Sequence, residues 1–216
     1  MTLCLDIHTH HPAPQPLGVI SATMDNFSPV EGQLYSVGIH PWDTNTMPGL
    51  AEWEKFENIV SLPCVVAIGE CGIDKTKGGL LFKQMLIFNR QIELSEKLGK
   101  PLIIHDVKAH DIIVGLRKDT EVKQNWVVHG FRGKPTVAKM LTDTGIYLSF
   151  GEKYNPAAFP MVPMDKILAE TDESPLSIEE IITNLSKDIY GEGEESVKLT
   201  TDLIRVNTQR FLYNEV

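Results

Sequence analysis

The chain has 216 residues, 42% of them hydrophobic and 23% charged, with a formal net charge of −9. This is the composition of one globular domain over residues 1–216 with a substantial core, and its acidity argues against a broad basic face for nucleic acid. The start lacks a basic region followed by an apolar run, and no stretch approaches the roughly 20 apolar residues that cross a bilayer, so a soluble cytoplasmic protein is expected.

Short apolar runs alternate with segments of helical period along the chain. Leu3–Ile7 reads as strand one, Gly18–Thr23 as strand two and Leu34–Ile39 as strand three. Between the last two, Met24–Gln33 carries Pro29 and Gly32 and is too short and broken for a normal crossover helix. Its flank is expected to be covered by local loop packing or by a second copy of the chain, leaving monomer and homodimer both open. Trp53, Phe56 and Val60 have helical spacing, and Cys64–Ile68 reads as strand four. The clearest helix carries Leu81, Met85, Phe88 and Ile92 and is stopped by Gly99 and Pro101. Leu102–Ile104 is strand five, followed by a helix through Ala109, Ile112, Ile113 and Leu116; Trp126–Val128 is strand six. A short helix at Val137 and Leu141 precedes strand seven, Ile146–Phe150, and strand eight, Lys166–Thr171. Two helices close the chain, one through Ile178–Ile189 and one over Glu194–Phe211. Cys4, Cys64 and Cys71 lie in or beside strands without CxxC spacing and read as reduced apolar fillers.

Eight strands alternating with helices predict a parallel sheet of the α/β class. Eight units can close into a compact (β/α)8 barrel, here with a truncated crossover after strand two; the alternative is an open doubly wound sheet. His8, His10, His40, Glu70, His105, His129 and Asp172 all fall at the C-terminal end of an expected strand, including five of the seven histidines. In a barrel those ends ring one mouth, where active sites sit. His8 and His10 share one side if strand geometry persists between them, so their imidazoles can share a metal ion.

The motifs at these ends are Asp6-Ile-His-Thr-His10, Gly38-Ile-His-Pro41, Ala67-Ile-Gly-Glu-Cys-Gly-Ile-Asp74, Pro101-Leu-Ile-Ile-His105, Val128-His-Gly-Phe-Arg-Gly133 and Leu168-Ala-Glu-Thr-Asp-Glu-Ser-Pro175. In type and order, over nearly the whole chain, this set resembles the TatD family of metal-dependent hydrolases, within the amidohydrolase-like barrels. The resemblance implies a two-metal site in which His8, His10 and Asp172 hold one ion, Glu70 bridges, and His105 and His129 hold the other. Mixed imidazole and carboxylate ligands suit Zn, Mn, Co or Ni, with Mg accessible through carboxylates and water. Asp172 and Glu70 are the expected catalytic carboxylates.

Around them, His40 is expected to touch substrate or the outer shell of the site, or to be a buried structural histidine. Asp6 is expected to accept a histidine ring proton, or to cap a turn, and Asp74 to hold its own loop. Cys71 should point away from the site, because strand neighbours face opposite sides. Lys75, Lys77, Lys108, Arg132, Lys134 and Lys153 fall in strand-end loops and can form an arc of cations. Arg132 is the strongest phosphate contact among them, since its fork suits phosphate.

Two departures bear on substrate. Family members often carry an arginine shortly after the strand-five histidine; here Lys108 is the nearest cation, and lysine cannot reproduce a bidentate clamp. The usual Arg-Asn-Pro segment after Glu-Thr-Asp is absent, Ser174-Pro175-Leu176 standing there instead. The expected function is a metal-dependent phosphodiesterase, a deoxyribonuclease working on a DNA strand end. The alternatives are hydrolysis of a small amide, ester or phosphoester, and a silent metal-binding relative.

Overall fold

The computed structural model describes residues 4–11, 18–119 and 122–214. Eight parallel strands close into a barrel in sequence order: β1 (Asp6–Thr9), β2 (Gly18–Ala22), β3 (Leu34–Val37), β4 (Val65–Asp74), β5 (Leu102–Val107), β6 (Trp126–Val128), β7 (Tyr147–Phe150) and β8 (Ile167–Ala169). Closure is made by β1 and β8, with Asp6 opposite Ala169, which excludes the open doubly wound sheet. Among the described residues six α-helices accompany the strands: α1 (Leu50–Val60), α2 (Leu81–Leu98), α3 (His110–Asp119), α4 (Pro135–Thr142), α5 (Ile178–Ile189) and α6 (Glu194–Tyr213).

The period of two along each strand sorts the core into two sets. Ile7, Val19, Ala67, Ile103, Val127, Tyr147 and Leu168 pack together in one cluster. Their neighbours Leu102, Ile104, Trp126, Val128, Ile167 and Ala169 join the helices in the other. This is the inside-versus-outside alternation of a filled barrel. The end where the strands begin is covered by α6. Its Phe211 packs on Tyr147 with ring centroids 5.5 Å apart, and the Asn125 amide donates to the carbonyls of Arg210 and Phe211. The opposite end carries the strand-end loops.

No α-helix lies between β2 and β3, as the broken sequence there predicts. Local packing covers the flank: Phe27 sits edge-on to Tyr35 at 5.3 Å, and the Tyr35 hydroxyl accepts from the Val30 amide at 3.0 Å.

Several boundaries differ from the expected ones. Strand one was expected over Leu3–Ile7; Leu3 lies outside the described residues, and β1 extends instead through His8 to Thr9. β4 and β5 run well beyond their apolar stretches, because Cys71, Gly72, Ile73 and Asp74 pair with Ile104, His105, Asp106 and Val107. Glu70 and His105 therefore stand within strands. The stripe expected on α2 is also displaced. Leu81 is 39% exposed, whereas Gln84 and Gln91 are buried beside Phe88 and Ile92. Both glutamines serve the site loops. The Gln84 amide nitrogen donates to the carbonyls of Asp74, Lys77 and Gly79 while its oxygen accepts from the Asp74 amide. Gln91 brackets the backbone of Ile39, which precedes His40.

Candidate metal centre

The strand ends converge on Glu70. Its Oε1 lies 3.0 Å from His40 Nε2, 2.6 Å from His105 Nδ1 and 2.9 Å from His129 Nε2. Its Oε2 lies 3.5 Å from His8 Nε2 and 3.9 Å from His10 Nε2. Asp172 closes the ring, with Oδ1 3.7 Å from His8 Nε2 and 3.6 Å from His10 Nε2. The backbone fixes this last group: the Asp172 amide donates to the His8 carbonyl at 2.9 Å, and the His10 amide donates to the Asp172 carbonyl at 3.1 Å.

Close backbone packing makes room for the ring. A Cβ on Gly38 would lie 2.4 Å from the Glu70 carbonyl oxygen, and one on Gly72, whose φ is +130°, would lie 2.3 Å from that of His105. Both positions therefore require glycine.

The donor set fits divalent cations. His8 is fully buried, yet neither of its ring nitrogens makes a hydrogen bond among the described residues. An orphaned buried imidazole is costly unless something else takes its lone pair. Burial, with the neighbouring His129 charge, pushes the His8 pKa down to about 3, so the ring is held in the neutral form that a metal requires. Burial pushes the Glu70 carboxyl up, but the charge of His129 and the bonds from His105, His129 and His40 outweigh it and hold the group well below the usual range. For Asp172 burial dominates, and the carboxyl is raised. Among the described residues, four combinations of ligand atoms share this centre within 4.8 Å: His8–His10–Asp172, His8–Glu70–His129, His40–Glu70–His105 and His129–Glu170–Asp172.

A second set of carboxylates stands behind the imidazoles. His105 turns Nδ1 to Glu70 and Nε2 to Asp74 Oδ2, 3.4 Å away. Asp74 also accepts from the Trp42 indole nitrogen at 2.7 Å and, through Oδ1, from Thr76 and Lys77. It thus holds its loop, as expected, and orients His105 as well. Its burial is offset by these hydrogen bonds, which keep the carboxyl below the usual range. Glu170, which sequence reasoning passed over, stands behind His129 without a hydrogen bond to its ring. It is fully buried, accepts from the Gly130 amide at 2.6 Å and lies 3.4 Å from His129 Nδ1. Its signal was its place two residues before Asp172 in the Glu-Thr-Asp motif.

The expectation that Asp6 accepts a histidine ring proton is not met. Its carboxylate accepts from the Thr171 amide and hydroxyl at 3.1 and 2.6 Å and from the His8 amide at 3.2 Å. The turn-capping role prevails because backbone donors of β1 and of the residues after β8 reach it first. His40 sits in the centre. Its Nδ1 accepts from the Trp42 amide at 3.1 Å, so in the neutral ring Nε2 carries the proton and donates to Glu70. In that tautomer His40 is a donor beside the centre and not a ligand. Cys71 is fully buried, and its thiol lies 3.5 Å from the Ile103 carbonyl, in the packing role expected.

The cation arc is thinner than expected. Lys75 pairs with Asp111 at 2.8 Å, and the Lys77 ammonium lies over the Trp42 ring. Arg132 is exposed and lines two adjoining cavities of about 230 and 410 Å³ that both reach Asp172; Lys153 lines the first and Lys108 the second. A third cavity of about 350 Å³ opens on the other side, between His10, His40, Trp42, Glu70 and Asp172.

A family model described as TatD related DNase matches residues 24–211. The chain is 32% identical over 154 residues to an uncharacterized metal-dependent hydrolase of Buchnera aphidicola, covering 67% of this chain and 57% of that protein. It is 29% identical over 148 residues to the 3'-5' ssDNA/RNA exonuclease TatD of Klebsiella pneumoniae, covering 63% and 56%. The match thus spans a little over half the length of these curated relatives. Among solved structures, the TatD homologue YjjV of Escherichia coli superposes with a TM-score of 0.80 at 19% identity, covering 100% of this chain and 99% of that one, which establishes the shared fold.

Proposed function

The chain belongs to the TatD-related DNase family, and from that premise we propose that it is a metal-dependent phosphodiesterase that shortens single-stranded nucleic acid from an end. The observation that carries the reading is the single carboxylate of Glu70 ringed by five imidazoles, with Asp172 beside them at the open end of the barrel. In this reading 1–216 is one hydrolase domain that works in the cytoplasm as a monomer or a homodimer. His8, His10 and Asp172 would hold one divalent ion and His105 and His129 a second, with Glu70 a ligand common to both. Zn, Mn, Mg, Co and Ni all suit such ligands.

Bound ions would lower the pKa of a water and offset the charge gathering on the phosphate. The chain's own residues do the rest. Asp172, set beside His8 and His10 at the open end of the barrel, takes the proton of the attacking water. Asp74 fixes the His105 ring so that one nitrogen faces the centre, and Glu170 places its charge behind the ring of His129. His40 presents an Nε2–H beside Glu70, within reach of a substrate oxygen. Arg132 grips a phosphate oxygen from the far side of Asp172.

An acidic chain with few free cations at the mouth fits a substrate held at a few phosphates. The same acidity supports a second reading, a small phosphoester, because Glu152 and Glu173 line the cavities that Arg132 and Trp42 overlook. The deciding assay offers a labelled single strand and a small phosphodiester to the same preparation. The expected result is stepwise shortening of the strand that stops on chelation, with a shallow salt dependence compared with a protein contacting ~6–10 phosphates. Arg132→Ala should lower strand turnover roughly tenfold or more while metal content is unchanged. An intact strand alongside fast turnover of the small diester would replace this reading with the second.

A further inference from the structure

Trp42 stands where the metal-centre residues meet solvent. The sequence places it two residues after His40, and the structure leaves 44% of its surface exposed. A single exposed aromatic is ordinary, but a tryptophan at this place offers a large flat face for recognition. This ring is also held still. Its indole N–H donates to Asp74 Oδ2 at 2.7 Å, its centroid lies 4.7 Å from that of His40 and 5.7 Å from that of His105, and both contacts are edge-on. Asp74 is itself 2% exposed and tied to Thr76 and Lys77, so the anchor is rigid.

The side chain over the ring is removable. The Lys77 ammonium sits 4.3 Å from the ring centroid, and Lys77 is exposed on a loop. That geometry is a π-face covered by a flexible, exposed cation. The cavity beside Trp42 measures about 350 Å³ and is lined by Glu70, His105, His129 and Asp172 together with Thr23 and Asn26. This is the low end of the range for small-ligand sites, suited to one nucleotide unit and too small for a length of strand.

We propose that Trp42 is the specificity-determining platform for the terminal nucleobase: the base stacks on the indole in place of Lys77, which turns to the phosphate, and the adjoining phosphodiester reaches the Glu70–Asp172 centre. The proposal rests on the strand-end reading above and names the part of the substrate that is read. Stacking tolerates any base, because every base offers a π-face, so the enzyme should distinguish a base from no base more sharply than one base from another.

The test separates stacking from a merely structural role for Trp42. Short single strands with cleavage-resistant phosphorothioate linkages, ending at the 3' side in either a nucleoside or an abasic sugar, are titrated by fluorescence anisotropy with Mg2+ present. Wild type should bind the base-bearing end about ten- to a hundredfold more tightly than the abasic end. Trp42→Phe, which keeps a π-face but loses the N–H to Asp74, should retain most of that ratio. Trp42→Leu should bind both ends equally, at the wild-type abasic level. A wild type that binds strands without regard to the terminal base overturns the proposal, as does a Trp42→Leu protein that keeps the full ratio. If wild type binds neither end and shortens no ordinary strand, the nuclease reading and this proposal fail together; if it shortens strands but ignores the base, this proposal alone fails.

Discussion

Glu70→Ala should abolish turnover, lowering kcat by about three orders of magnitude or more, and should strip the protein of metal at both positions. The reason is geometric. Among the described residues, Glu70 is the one side chain within 4 Å of His8, His10, His40, His105 and His129 alike, so its loss removes the shared donor from every grouping that uses it. It also removes the charge that draws His40 and His129 inward. Because the deletion also leaves His105 and His129 without their carboxylate partner and costs some stability, the fold is checked on the metal-free protein. A thermal melt in chelator within a few degrees of wild type would confirm that the defect lies in the centre. His105→Ala provides the contrast: it removes a ligand from one side only and should weaken one ion while the His8–His10–Asp172 group keeps the other.

Asp172→Asn should lower kcat by about two to four orders of magnitude with a much smaller change in strand affinity. Asparagine keeps the size of the side chain and the backbone bonds from Asp172 to His8 and His10. It loses the negative charge and the ability to accept a proton. Asp172 holds a φ of +53°, a conformation that asparagine tolerates better than most residues, so the substitution isolates chemistry from strain. Single-turnover rates measured beside anisotropy with a cleavage-resistant strand read the two quantities separately. An Asp172→Asn enzyme with kcat within a few-fold of wild type would remove Asp172 from proton transfer.

The barrel was legible because strands and helices write opposite periods into the chain. Leu34–Val37, Trp126–Val128 and Tyr147–Phe150 are short apolar runs that became strands close to their expected bounds. The site was legible because its histidines and carboxylates follow such runs at one end. What the sequence hid was partner choice. The extra length of β4 and β5 comes from a ladder between Cys71–Asp74 and Ile104–Val107, residues whose polarity breaks the apolar pattern. Gln84 and Gln91 are buried because loops after β3 and β4 need their amides, and their spacing of seven is a helical repeat that hydrophobicity alone ignores. Asp6 is read as a turn cap only once β8 delivers Thr171 to it. Trp42 gains its meaning from Asp74, 32 residues away in the chain.

The central claim is a pair of divalent ions organised on Glu70, and the direct measurement is metal stoichiometry. Protein stripped with chelator and titrated with Mn2+ or Zn2+ in a calorimeter, with bound metal counted by elemental analysis, should take up close to two ions per chain, and Glu70→Ala should fail to hold either tightly. Uptake of a single ion, with affinity unaltered by Glu70→Ala, would contradict the account.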